Sequence, residues 1–190
     1  MNIFVLDYNP VRAAIHMVDK HVMSKMIVES AQILSNCFTD EQLAHPSCPR
    51  TQKGTVRKHS YPHHPCSKWV QESKTNMWWV IYNSFSMDGE RMVRWKIKNP
   101  SPTDICPPHF SIPFIDWCEV NIKKSKVPDS GITPFVQCMP EEYKNPDPVI
   151  AYRNYYRYGK KHLHKWTRNK PSWITSDPIQ DIRSYKFDIA

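Results

Sequence analysis

Residues 10–36 read PVRAAIHMVDKHVMSKMIVESAQILSN, and this stretch decides the fold class. Its apolar side chains recur at the spacing that places them on one face of an α-helix. They are Ile15, Val18, Val22, Met26 and Ile33. Pro10 suits the first turn of a helix, where its missing N–H loses no hydrogen bond. The stretch therefore predicts a long amphipathic helix.

Other stretches carry helical patterns as well. Residues 67–97 supply an apolar stripe, and Asp88-Gly89 leaves open a break into two helices. Residues 147–168 begin with Asp147-Pro148, the order expected of an N-cap and the first helical residue. Residues 114–124 fit either a short helix or a strand. Helices are thus predicted along most of the chain.

Proline-rich segments separate the helical stretches, and strand signals are weak elsewhere. The 17 Pro are concentrated in these connections. We therefore predict a mainly α fold, a single compact helical domain over residues 1–190 with long Pro-rich connecting loops. Loops of this length without secondary structure of their own are often functional.

The composition favours one basic domain. A length of 190 residues fits a single domain, and a hydrophobic content of 40% is enough to form a core. Lys and Arg number 26 against 18 Asp and Glu, which gives a net charge of +8. This balance indicates a polyanionic partner such as nucleic acid. The alternative is a protein that is basic without such a partner.

The sequence excludes several classes of protein. No apolar run approaches the roughly 18–20 residues that cross a bilayer, so no membrane partner is expected. The first residues lack the basic lead and apolar core of a signal peptide. No Gly-rich phosphate loop is present, so no cofactor is expected. The six Cys form no CxxC pair, and we expect reduced, mostly buried thiols in a cytoplasmic protein.

The first helix carries one set of residues suited to catalysis. His21, Lys25 and Glu29 are spaced by four, so they share one stripe of an α-helix, with Asp19 nearby. A carboxylate, an imidazole and an amine together can perform acid–base chemistry or attack by the amine. The alternative is a solvated face with a Lys25–Glu29 ion pair.

A second group of His and Cys residues precedes the second helix. It comprises His45, Cys48, His59, His63, His64 and Cys66. Zinc takes such ligands, but their spacing fits no zinc pattern, so we expect no metal. We interpret His64 as a loop residue whose imidazole provides a polar group in a cleft. The same loop contains Arg57 and Lys58, whose charges suit contact with phosphates.

The third helix combines cations with aromatic rings. Its two stripes are Tyr152, Tyr156 and Lys160, and Arg153, Arg157 and Lys161. Cations contact phosphates and rings stack on unpaired bases, so this helix is a candidate nucleic-acid surface. The alternative is that the tyrosines belong to the core. Gln137, in the preceding loop, is a further candidate because an amide can read a base edge.

Blocks of sequence along the chain carry a first resemblance. They are DKHVMSKMIVE at 19–29, His64-Pro65 with Trp69 and Glu72-Ser73, TPFVQCMPEEYK at 133–144 and AYRNYY at 151–156. These blocks resemble a family of small proteins that tailed phages encode. The resemblance implies a phage protein in the cytoplasm of an infected host cell, and it leaves the activity open.

The first helix carries a second, more distant resemblance. An Asp-x-His-apolar-Met pattern falls on Asp19, His21 and Met23, and Glu29 follows it. This pattern resembles that of the phage pyrimidine-dimer DNA glycosylases of the endonuclease V type, whose Tyr-rich and Lys-containing end is similar to residues 155–160. The resemblance implies a small helical enzyme that cleaves a glycosidic bond in damaged DNA, nicks the strand and uses Glu29 as its catalytic acid.

Two features depart from that family. Glu29 follows His21 by one position more than the corresponding residues do in those enzymes, which turns Glu29 on a regular helix. Their nucleophile is the α-amine left after removal of Met, next to a small residue, whereas Asn2 follows Met1 here. The nucleophile would then be the amine of Met1 or of a lysine such as Lys25.

We therefore predict a phage DNA-processing enzyme, a DNA glycosylase/AP lyase acting on damaged or modified bases. Two alternatives stay open: a non-catalytic nucleic-acid-binding protein, or another nucleotide- or base-modifying enzyme with or without a metal. An enzyme requires Glu29, His21 and His64 to converge in a pocket, whereas a binding protein requires an exposed basic strip. DNA is the favoured partner, and the oligomeric state is open.

Overall fold

A computed structural model of the chain describes residues 2–175. Its α-helices are α1 (Pro10–Ile15), α2 (Met26–Ser35), α3 (Asp40–Ala44), α4 (Pro65–Val70), α5 (Lys74–Lys98), α6 (Ile112–Val120) and α7 (Pro148–Asn154). Two π turns, His21–Lys25 and Tyr155–Gly159, lead into α2 and continue α7. Short 3₁₀ turns occupy Ile122–Lys124, Glu141–Tyr143, Lys161–Leu163 and Ser172–Ile174. No strand occurs within residues 2–175, and the predicted mainly α fold is confirmed.

Helix α5 is the central element. Its 25 residues extend roughly 37 Å, and it packs against α1, the first π turn, α2, α4 and α6. The open question of a break at Asp88-Gly89 is settled, because α5 is continuous there. Asp88 is buried, and its Oδ1 accepts from Arg91 Nε at 2.7 Å, one turn onward. A single helical Gly weakens a helix by only about 1 kcal/mol, which this packing offsets.

The first predicted helix is divided, contrary to expectation. Helix α1 ends at Ile15, and the chain becomes helical again only at Asp19. Arg94 of α5, whose side chain is fully buried, donates to the carbonyls of Ile15 and Met17 at 2.9 and 2.8 Å. These carbonyls have no helical partner at a helix end, so a residue distant in sequence holds the break open.

The third predicted helix begins as expected and ends early. Asp147 Oδ1 accepts the backbone N–H groups of Val149 and Ile150, which confirms the N-cap. After α7 the chain widens into the second π turn, which ends at Gly159. A Cβ at Gly159 would lie 2.6 Å from the Tyr155 ring, so this position has no room for a side chain. Residues 114–124 form a helix rather than a strand, since α6 begins at Ile112.

The N-terminal segment is an extended part of the core. Ile3, Phe4, Val5 and Leu6 are buried, and they belong to the apolar cluster that α2, α5 and α7 complete. This segment therefore crosses the interior beside the helices that carry the candidate residues. No helix within residues 2–175 is long and apolar enough to cross a membrane.

Candidate active site

Glu29 is held between the N-terminal segment and a lysine. Its Oε2 accepts the backbone N–H of Asn2 at 3.0 Å, and its Oε1 lies 3.7 Å from Nζ of Lys25. The Glu29 side chain is 13% exposed, whereas that of Lys25 is 62% exposed. The expected Lys25–Glu29 pair is therefore present, with a shielded carboxylate beside an accessible amine. This combination suits acid–base chemistry and amine attack.

Asn2 ties Glu29 to other parts of the chain. Its Nδ2 donates to the carbonyl of Cys138 at 2.8 Å, and its Oδ1 accepts the hydroxyl of Tyr152 at 2.8 Å. Asn2 thus joins α2, the 133–144 loop and α7 in one buried place. Met1, one of the expected amine nucleophiles, lies outside the described residues.

His64, Cys66 and Cys138 form a cluster beside this place. His64 caps α4, because its Nδ1 accepts the backbone N–H of Cys66 at 3.2 Å. The sulfur atoms of Cys66 and Cys138 are 3.4 Å apart, and one donor atom from each of the three residues lies within 4.8 Å of the others. We call Asn2, Glu29, His64, Cys66 and Cys138 the Glu29 centre.

Charge and burial affect the titration of this cluster. Burial lowers the pKa of His64, and the nearby Glu29 carboxylate opposes that shift. The hydrogen bond between the two sulfurs lowers the pKa of Cys138 and raises the pKa of Cys66. Burial thus disfavours the charged imidazolium form of His64, and the contact between the two sulfurs makes Cys138 the more acidic thiol of the pair.

The first π turn changes the register between His21 and Glu29. The backbone N–H of Met26 bonds to the carbonyl of His21, five residues back, where an α-helix would use four. A π turn therefore accommodates one extra residue. With this extra residue in the π turn, Glu29 points in about the same direction relative to His21 as a residue one position closer would on a regular α-helix. Such turns are frequent at functional sites.

His21 is packed in the core rather than joined to the Glu29 centre. Its ring stacks on Phe4 with centroids 4.6 Å apart, and its Nδ1 bonds to the Tyr156 hydroxyl. Burial lowers the pKa of His21 to about 3, and the charges of Lys160, Lys25 and Lys20 add to the effect. The expected convergence of Glu29, His21 and His64 is thus corrected, since only Glu29 and His64 belong to the centre.

The charges that act on His21 define a basic edge. We call Lys20, Lys25 and Lys160 the lysine rim. Lys20 and Lys25 are exposed, and Nζ of Lys160 lies 4.8 Å from the centroid of the Tyr155 ring. Because Lys25 also pairs with Glu29, the rim reaches the Glu29 centre.

Asp19 belongs to a buried ion network rather than to a catalytic group. Its Oδ1 accepts from Arg94 at 3.1 Å and its Oδ2 from Lys98 at 3.1 Å. Thr167 adds bonds to both oxygens, at 2.9 and 2.8 Å. Burial alone would raise the pKa of Asp19, but the Thr167 and Lys98 bonds outweigh it and lower that pKa. The expectation of a catalytic Asp19 is corrected, because its oxygens hold α5 and residue 167 together.

Three residues expected on the nucleic-acid surface are core residues instead. Tyr152, Arg153 and Tyr156 are all buried. The Arg153 Nε donates to the carbonyl of Leu6 at 2.9 Å. The interface expected on α7 is therefore corrected, because this face of the helix packs on the N-terminal segment.

The following residues keep part of that predicted surface. Lys161 is exposed and Lys160 lies in the lysine rim. Arg157 is half-buried and donates to the carbonyl of Trp173. Gln137 uses its amide on both backbone groups of Asn145, with bonds of 2.6 and 3.2 Å, so it closes the loop instead of presenting a free edge.

A cleft of about 690 Å³ separates α2 from the basic loop. Gln32 lines it on the helix side, and Lys53, Arg57 and Lys58 line it on the loop side. Lys58 is exposed, as phosphate contact requires, whereas Arg57 bonds to the carbonyl of Pro49 at 3.0 Å and covers the Phe114 ring. The cleft is thus basic along one wall.

Sequence reasoning missed Asn2 and Cys138. Cys66 and Cys138 are 72 positions apart, so no local spacing could have paired them. The sequence marks Cys138 only indirectly, since this residue lies within the 133–144 block that resembles the phage family. Comparison with family models, curated proteins and solved structures gives no match to this chain.

Proposed function

We propose that this protein is a phage DNA-processing enzyme of the DNA glycosylase/AP lyase type, acting on damaged or modified bases. The observation that carries the proposal is the position of Glu29, a shielded carboxylate next to the accessible amine of Lys25. This chemistry needs an amine to attack the sugar and a carboxylate to manage protons beside it.

The proposed reaction begins with a flipped nucleotide. The amine nitrogen bonds to C1′ of the sugar as the C1′–N bond breaks, and the base leaves with that electron pair and a proton. Opening of the sugar ring moves the C1′–O4′ electron pair to the oxygen, which takes a proton and leaves an iminium ion at C1′. Loss of a proton from C2′ then expels the 3′-phosphate. Glu29 stabilises the cationic stages and carries protons.

The register set by the first π turn supports the resemblance on which the proposal draws. Glu29 stands one position further from His21 than the family pattern has it, and the His21–Lys25 turn takes up one extra residue. The departure in spacing is therefore no obstacle to Glu29 as the catalytic acid.

The position of Asn2 also favours amine chemistry at this place. Its backbone N–H donates to the Glu29 carboxylate at 3.0 Å, so the N-terminal segment reaches this carboxylate. The nucleophile is the amine of Lys25 or that of Met1, and mapping of the adduct distinguishes them.

The lysine rim and Lys161 supply the electrostatic part of the proposal. Their ammonium groups suit contact with the phosphates on either side of an extruded nucleotide. Tyr158 is 61% exposed on the same segment as Lys160, and its ring is available for stacking on a base. Buried Tyr152, Arg153 and Tyr156 have no part in this contact.

Borohydride trapping on DNA that carries a single abasic site tests the proposal. We expect a covalent adduct whose formation is slowed roughly 100-fold or more in Glu29→Gln. Glu119→Gln, on α6 and outside the Glu29 centre, is the matched control and should trap normally. Peptide mapping of the adduct assigns the amine. Salt-sensitive binding of DNA without any adduct would contradict the lyase and favour the non-catalytic binding protein.

A further inference from the structure

The cluster of His64, Cys66 and Cys138 has the donor chemistry of a metal site. Imidazole nitrogen and thiolate sulfur are ligands that Zn²⁺ prefers. The three donor atoms come from the start of α4 and from the 133–144 loop, and they lie within 4.8 Å of one another. We propose that these residues bind one thiophilic divalent cation of the zinc class, a site that goes beyond the proposed lyase activity because that chemistry needs no metal.

The sulfur–sulfur distance fits a shared cation. Two sulfurs on a tetrahedral zinc ion, each about 2.3 Å from it, are about 3.8 Å apart. The observed separation of 3.4 Å is close to this value and well beyond the roughly 2.05 Å of a disulfide bond. A disulfide would engage only the two sulfurs, whereas a cation uses all three donors.

Hydrogen bonds hold the backbone around the cluster in place before any ion binds. Cys138 donates its N–H to the Tyr152 hydroxyl at 3.3 Å, and its carbonyl accepts from Asn2 at 2.8 Å. The loop that carries Cys138 is held at its start by buried Asn76, which bonds both the N–H and the hydroxyl of Thr133. Such outer contacts orient metal ligands, so the donors need little rearrangement to close on an ion.

His64 can reach an ion with a small adjustment. Its Nδ1 accepts the Cys66 N–H at 3.2 Å, and an imidazole carries a second ring nitrogen, Nε2, that can bind a metal. Cys66 is buried, whereas His64 and Cys138 are partly exposed and give the ion a route from solvent. Two thiolates balance the charge of a divalent ion, so the site needs no further anion.

The number of ligands indicates an open coordination position. Within residues 2–175 the cluster has three members, and catalytic zinc sites take three protein ligands plus water, whereas structural sites take four. Glu29 stands nearby, since Asn2 bonds both to its carboxylate and to the Cys138 carbonyl. The ion would therefore present its fourth position to water or to an anionic oxygen beside Glu29.

Cobalt substitution tests the site on the full-length protein. We expect one Co²⁺ per chain, a sulfur-to-cobalt charge-transfer band, the visible bands of a tetrahedral ion, and displacement by Zn²⁺. Cys138→Ser and His64→Asn should weaken Co²⁺ binding roughly 100-fold or more. Asn keeps a capping side chain at the start of α4, so His64→Asn is expected to fold.

Matched variants and chelation make the outcome decisive. Cys48→Ser and His63→Asn remove the same groups outside the cluster and should bind Co²⁺ as the unaltered protein does. The proposal fails if Co²⁺ does not bind, if the cluster variants leave the spectrum unchanged, or if Cys66 and Cys138 form a disulfide in freshly purified protein. Because borohydride trapping is run with a chelator present, failure of the lyase and failure of the metal site are distinguished.

Discussion

The backbone N–H of Asn2 donates to Glu29 Oε2 at 3.0 Å, across 27 positions of sequence. The Asn2 side chain meanwhile bonds to Cys138 and Tyr152. The N-terminal segment is therefore part of the site and not merely attached to it. The backbone of Asn2 contacts Glu29, and its side chain contacts the loop that carries Cys138.

We expect Asn2→Ala to lower the free energy of unfolding by about 2 kcal/mol, because it removes the hydrogen bonds that the Asn2 side chain makes to the Cys138 carbonyl, the Ile3 N–H and the Tyr152 hydroxyl. Urea denaturation measures the change. Asn121→Ala, which removes one half-buried bond to the carbonyl of Trp117, is the control and should lower it by less than about 1 kcal/mol. Equal effects in both variants would argue against a structural role for the Asn2 side chain.

Arg94→Met should be severely destabilising. The substitution removes the fully buried guanidinium that pairs with both Asp19 and Glu90, and loss of one partner from a buried ion group costs about 3–5 kcal/mol. Lys98→Met removes a partner of Asp19 whose side chain is 40% exposed, and it should cost no more than about 1 kcal/mol. Urea unfolding of both variants is the measurement, and a mild effect of Arg94→Met contradicts the network.

His21 should make stability depend on pH. Its pKa falls from 6.5 to about 3 on folding, so the unfolded chain binds the extra proton first as the pH falls. The contribution of His21 to the free energy of unfolding is therefore fully present above about pH 6.5 and is lost as the pH falls toward 3. Between pH 7 and pH 5 the loss amounts to about 2 kcal/mol.

His21→Gln should remove that part of the pH dependence while keeping a polar partner for Tyr156. Unfolding free energies at pH 7 and pH 5, in both proteins, measure it. His162→Gln, at an exposed position, should leave the dependence intact. A variant His21→Gln that retains the full decline between pH 7 and pH 5 would show that His21 titrates normally.

Deletion of Met23 should be tolerated. It removes one residue from the His21–Lys25 π turn, and a regular helix then connects the same faces, so His21 and Glu29 keep their directions. Deletion of Gln32 from the regular part of α2 rotates the rest of the helix by about 100° and should prevent folding. Circular dichroism and thermal unfolding compare the two deletions. An equal loss of helix content and thermal stability in both would show that the π turn does not accommodate an extra residue.

Gly89→Ala should stabilise the protein by about 0.5–1 kcal/mol, because Gly89 lies within continuous α5 and a Cβ there meets no atom within 4 Å. Gly159→Ala is the contrasting variant, since its Cβ would strike the Tyr155 ring. It should destabilise the protein by about 1–3 kcal/mol. Thermal unfolding measures both, and loss of stability in Gly89→Ala would indicate a broken helix.

Local pattern was enough to predict the helical class. Apolar spacing identified the face of α2, and Asp147-Pro148 identified the start of α7, because caps and stripes depend on neighbours in sequence. The Lys25–Glu29 pair followed from the same rule, since residues four apart on a helix are adjacent.

Long-range contacts decided the rest. Arg94 ends α1, and the burial of Tyr152, Arg153 and Tyr156 depends on the N-terminal segment that packs on α7. The pattern of cations and aromatic rings on α7 could not show by itself which face of the helix is exposed to solvent. Such a pattern occurs both on exposed faces and on faces that pack in a core.

By itself, the sequence determined the mainly α class, the basic charge and the position of Glu29 on a helix, because these depend on composition and local spacing. Only the tertiary structure brought Asn2, Glu29 and Cys138 together and removed Asp19 and His21 from the site. The physical reason is that burial and pairing of polar groups are set by which distant segments meet, and contacts across 27 or 136 positions leave no periodic trace in the sequence.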